Sequence, residues 1–190
     1  MKKKNESRRS FLKGAAAGAS AGAVAAFIPK VDAQSGNDAE TATEPFSVDA
    51  RHGAFFNREQ AAAIAAFVER LMPGAPGKPG ATDADVLNYI DLALAGAYAD
   101  QQRFYRRGLV ALDAYCRATH DAAFARLDPA QQDATIAALE ADTAGGFEWP
   151  AARAFFETLR THTMEGMFAD PVYGGNKDFA GWRLVGFPGA

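Results

Sequence analysis

Between Asn57 and Pro73 the apolar residues Ile64, Phe67, Val68, Leu71 and Met72 recur at i, i+3, i+4, i+7 and i+8. That spacing lines one side of an α-helix and neither face of a β-strand. Asn57 is a capping residue type with Gln60 three positions on, so the helix has a start signal, and Pro73 stops it. The Pro/Gly loop to Gly80 follows, and Thr82 or Asp83 can begin a second helix with Val86, Ile90, Ala93, Leu94 and Ala97 on one face. Around Asp100 a third begins or the second continues, with Tyr105, Leu109, Leu112 and Cys116 as its inner stripe. Asp128-Pro129 predicts a fourth helix, to about Asp142. Pro150 opens a fifth, with Phe155, Thr158, Leu159 and His162 along one side, which ends near Phe168 because Asp170-Pro171 cannot continue it. Residues 172–190 show no periodicity, and no alternating run is long enough for a strand. The expected fold is all-α: one domain of about five helices with an irregular glycine- and aromatic-rich C-terminal arm over residues 55–190.

The N-terminus has a different grammar. Ser7-Arg8-Arg9-Ser10-Phe11-Leu12-Lys13 precedes a small and apolar run over residues 14–28. A basic region, an apolar region and a polar exit are the layout of an export signal. The run is Ala- and Gly-rich and shorter than the roughly 20 residues a membrane span needs. Adjacent Arg8 and Arg9, with Phe11 and Leu12, fit a twin-arginine signal, which carries cargo already folded. Val31-Asp32-Ala33 offers small residues to a signal peptidase, so the signal is expected over residues 1–33 with cleavage after Ala33. Residues 34–54 are polar and acidic at first and read as a flexible tether. The expected location is the periplasm, with no stable transmembrane segment after cleavage.

Past residue 33 the chain holds 13 Lys and Arg against 21 Asp and Glu, a balance of −8. A nucleic-acid binder would show a basic patch or stripe there, and composition offers none. An acidic body suits solubility and selective docking. A single cysteine allows no internal disulfide and no cysteine-built metal, haem or iron–sulfur site. His52, His120 and His162 stand at no ligand spacing.

Few residues offer chemistry. His162 and Glu165 are neighbours on a helix and could act as acid and base or as half a metal site. Against that, His162 lies on the apolar stripe with no third partner, which favours a hydrogen-bonded histidine at a core edge. Asp91 and Asp100 form a carboxylate pair only if folding joins them. Cys116 shares a stripe with Leu109 and Leu112 and reads as core, with an intersubunit disulfide as the alternative. No nucleophile elbow, phosphate loop or dinucleotide fingerprint occurs. The C-terminal arm must lie on something, since its glycines and aromatics have no regular backbone pairing. Tyr173, Phe179, Trp182 and Phe187 either cap the chain's own core or meet a partner, and both can hold.

The run HTMEGMFADPVYGGN supplies His162, Thr163, Glu165, Gly166, Phe168, Asp170, Pro171, Tyr173, Gly174, Gly175 and Asn176. In this it resembles the small subunit (subunit 3, or gamma) of gluconate 2-dehydrogenase. Gly181-Trp182 and Gly186-Phe187-Pro188-Gly189 fit that family's ending, and Pro79-Gly80-Ala81 with Val86, Tyr89-Ile90-Asp91 and Leu94 fits its other recurrent segment. The similarity spans Phe55 to the C-terminus.

The resemblance implies a role more than a reaction. In such complexes a large flavoprotein of the glucose–methanol–choline oxidoreductase type oxidises a sugar, sugar acid or alcohol, often passing electrons to a cytochrome c subunit. The small subunit holds no redox cofactor. It escorts the FAD-loaded large subunit through the twin-arginine translocase and stays bound. The expected docking surface comprises His162, Glu165, Phe168, Asp170, Tyr173, Gly174, Gly175, Asn176, Trp182 and Phe187, with no catalytic residue in this chain. The rival readings are a stand-alone periplasmic enzyme or a small-ligand-binding helical protein, either one using His162 and Glu165.

Overall fold

A computed structural model describes residues 53–189. The signal residues Arg8, Arg9, Phe11 and Leu12, the expected cleavage point and residues 34–52 of the tether lie outside the described residues. Six α-helices run in order: α1 (Arg58–Leu71), α2 (Val86–Ala95), α3 (Gln102–His120), α4 (Pro129–Glu140), α5 (Ala152–Phe168) and α6 (Ala180–Val185). No strand occurs among the described residues.

The caps of α1 and α4 form as expected. Asn57 accepts the N–H of Gln60 at 2.9 Å, while Gln60 Oε1 takes the N–H of Asn57 at 3.2 Å. Asp128 and Gln131 repeat the exchange at the same distances, with Pro129 in the first turn. Each such cap is worth about 1 kcal/mol. Helix α2 starts at Val86 and not at Thr82 or Asp83. The reason is Glu69, whose carboxylate collects the Gly74 N–H, the Thr82 N–H and the Thr82 hydroxyl, so Thr82 serves the preceding loop. Asp83 likewise turns back to the Gly80 N–H. Helix α3 begins at Gln102 after a 3-10 turn, Ala99–Gln101, and α5 begins at Ala152 with Ala151 as its cap.

The helices pack around α5, which contacts α1, α2, α3, α4 and α6. Its Phe155, Phe156, Leu159 and Met167 meet Ile64, Phe67, Ile90, Leu94, Tyr105, Leu112 and Leu139 in one buried cluster. Full burial of each such side chain contributes about 1.5–3 kcal/mol. Cys116 is fully buried among them, as its stripe implied. Gly108 lets α3 approach α5, because a Cβ there would overlap the Phe155 ring.

The C-terminal arm is more regular than its composition suggests. It holds two 3-10 turns, Pro171–Tyr173 and Lys177–Phe179, and then α6. A six-residue helix is too short for a periodic stripe, and its cap is built from outside: Asn176 Oδ1 accepts the N–H of Gly181 at 2.9 Å.

Candidate functional site

Helix α5 presents His162 inward, where it meets two tyrosines. The Tyr105 hydroxyl of α3 stands 2.7 Å from His162 Nδ1, and both residues are buried. The Tyr98 ring stacks on the imidazole at 4.8 Å between centroids. One turn further along α5, Glu165 Oε2 accepts from the Tyr89 hydroxyl at 3.0 Å and the Tyr98 hydroxyl at 3.2 Å. Burial, and then the Glu165 charge, push the Tyr89, Tyr98 and Tyr105 phenols above their ordinary range, so all three keep their protons at neutral pH. Burial lowers the His162 pKa, opposed by Glu165, and favours the neutral ring. The Tyr105 hydroxyl and Nδ1 of that ring share one hydrogen bond.

His162 and Glu165 are therefore joined through Tyr98 in a hydrogen-bonded core cluster that ties α2, α3 and α5. A groove of about 740 Å³ lies elsewhere, lined by Asn57, Leu109, Arg117 and Phe124 among others, and includes neither His162 nor Glu165. Among the described residues no three His, Cys, Asp or Glu gather to hold a metal ion.

Asp91 does not pair with Asp100. Its buried carboxylate accepts four successive backbone N–H groups, from Gly53, Ala54, Phe55 and Phe56, at 2.7–3.0 Å. Burial opposes the charge, but the four donors outweigh it and hold the carboxyl below its usual range. Asp100 lies exposed on the turn before α3. The last two residues assigned to the tether, Gly53 and Ala54, are thereby tied to the helical body.

The arm divides the expected docking residues into two groups. Asn176 is fully buried: its amide donates to the Ala169 carbonyl at 2.9 Å and its backbone N–H to the Gly166 carbonyl at 2.7 Å. Gly175 and Gly181 lie so close to α5 that a Cβ would overlap the carbonyl oxygens of Gly166 and Met167 respectively. Gly174 turns at φ 93°, and its carbonyl accepts from Asn88 of α2 at 2.8 Å. The Trp182 indole N–H donates to the Phe168 carbonyl at 2.8 Å. Asp170 caps the turn through the Val172 N–H. These residues, with the half-buried Phe168, hold the arm to α5 and α2, while His162 and Glu165 face the tyrosines of the core. The outward group is Tyr173 (63 % exposed) and Phe187 (49 %), joined by Val172 (78 %) and by Leu92 (45 %) on α2, against which Gly174 packs.

The three tyrosines were missed as site residues; Tyr89 figured only in the family segment and Tyr105 only as a core stripe. Residue spacing within one helix carries no signal for a cluster assembled from three.

Exposed large apolar side chains stand on the C-terminal arm (Val172, Tyr173, Phe179, Val185 and Phe187) and also on the helices and the loop before α5 (Leu92, Val110, Trp149 and Met164). The chain belongs to the family described as gluconate 2-dehydrogenase subunit 3, whose model matches residues 58–189. That family is a subunit of a multi-subunit dehydrogenase. No curated protein and no solved structure matches the chain.

Proposed function

We propose that this chain is the non-catalytic small subunit of a periplasmic flavin-dependent dehydrogenase acting on a sugar, sugar acid or alcohol. It binds the large flavoprotein of the glucose–methanol–choline type, which carries the FAD, stabilises it and escorts it through the twin-arginine translocase. A cytochrome c subunit completes the electron path in some such assemblies. The observation that carries the reading is the exposure of Val172, Tyr173 and Phe187 on the C-terminal arm, with Leu92 of α2 exposed beside Gly174. Val172 and Tyr173 stand on the family's most specific run, which the buried Asn176 and Gly175 fasten to α5. A preorganised aromatic anchor suits a stable interface.

The test is co-expression with a candidate flavoprotein large subunit. Val172→Asp with Tyr173→Ala should abolish co-purification while leaving the helical circular dichroism intact. Full recovery of the complex from that variant would refute the docking surface.

A further inference from the structure

Helix α3 has a second stripe, opposite the buried Tyr105, Leu109, Leu112 and Cys116. Arg103, Arg106, Arg107 and Val110 follow i, i+3, i+4 and i+7, and all four are exposed. Trp149, 48 % exposed in the loop before α5, lies beneath two of them: the guanidinium carbons of Arg103 and Arg107 sit 5.5 and 5.7 Å from its ring centroid. Arg106 sits 5.0 Å over the Phe55 ring. Phe55 is itself fixed, since its N–H is held by Asp91. The three guanidiniums are thus placed by aromatic planes on the exposed side of the helix.

Among the described residues none of the three is paired with a carboxylate. Ion pairs among the described residues join Arg70 to Asp133, Arg117 to Asp113 and Arg153 to Glu157. Asp100 and Glu148, close by in sequence, make no ion pair with the stripe. This is unexpected where Asp and Glu outnumber Lys and Arg by 17 to 12 over residues 53–189.

We propose that the outer stripe of α3, with Trp149 at its centre, is a second docking surface that receives a carboxylate-bearing patch of a partner polypeptide. The proposal rests on the docked-subunit reading and adds a charged footprint on elements other than the C-terminal arm. The chemistry selects this occupant. Guanidinium forks match carboxylates in paired hydrogen bonds, and Trp with Arg is the pairing of an interface centre. A lipid surface fits less well, because an anionic leaflet would repel the net acidic body and the stripe supplies three cations with no lysine. A nucleic acid would need a longer basic track.

The full chain is tagged, expressed with its partner and compared with Arg103→Gln/Arg106→Gln/Arg107→Gln and with the corresponding triple Lys variant. In parallel, each purified chain is titrated with a synthetic peptide of alternating Glu and Leu and with phosphatidylglycerol vesicles. The expected result is salt-sensitive binding of partner and peptide, weakened about tenfold or more in the Gln variant and intermediate in the Lys variant. Equal capture of partner and peptide by wild type and Gln variant would overturn this surface and leave the docked-subunit reading standing. Vesicle binding without peptide binding would overturn it in favour of lipid. If wild type captures no flavoprotein yet binds the peptide through these arginines, the surface stands and the docked-subunit reading falls.

Discussion

Asp91 Oδ1 accepts the backbone N–H of Phe56 at 2.7 Å, and both residues are buried. This bond and its three companions fix the point at which the chain enters the helical body. Asp91→Asn replaces a charged acceptor by a neutral one and places an amide among four donors. We expect a loss of about 3 kcal/mol in urea unfolding, the scale of charge-assisted bonds lost with buried donors left short. The depressed carboxyl also predicts the pH dependence: its contribution is complete above the unfolded value of about 3.9 and fades as pH falls through the lower folded value. The Asn variant should show a flatter acid limb.

The Tyr105–His162 bond makes a second test of the core, at higher pH. Burial lowers the folded pKa of His162 below its unfolded value of about 6.5, so the unfolded chain binds more protons in that range. Stability from this site is full above about 6.5 and declines as pH falls. Tyr105→Phe leaves Nδ1 without its hydrogen-bond partner, at a cost of about 1–3 kcal/mol. Chemical denaturation of both chains between neutral and mildly acidic pH checks the size and the sign.

Gly181→Ala should dislodge α6, since the added carbon overlaps the Met167 carbonyl. Overpacking of this kind costs about 1–3 kcal/mol. Hydrogen exchange should then quicken over Lys177–Phe179 and Ala180–Val185 while α1 and α4 keep their protection.

Cys116 is fully buried, and burial pushes its thiol up to about 11. The native protein should resist thiol reagents at neutral pH and react in one equivalent once unfolded. Rapid native labelling, or a disulfide-linked dimer in non-reducing gels, would restore the intersubunit alternative.

Much of this was written locally. The Asn57–Gln60 box and the Asp128-Pro129 start are short local signals, and the stripes of α1 and α3 are single-helix patterns, so those elements were legible. The start of α2 was not, because Thr82 answers to Glu69, thirteen residues away. Nor was α6, whose cap is Asn176 and whose seat is the carbonyl edge of α5. The docking residues were legible as a motif, but their division into inward Asn176 and outward Tyr173 depends on how the arm folds back. The Tyr89–Tyr98–Glu165 junction joins residues 67 and 76 positions apart, which no periodicity encodes.

The most direct test of the central claim is the compartment in which dehydrogenase activity appears when Arg8→Lys and Arg9→Lys are combined in this chain alone. The account predicts that the flavoprotein and its activity stay in the cytoplasm together with the altered small chain. Undiminished periplasmic activity would contradict it.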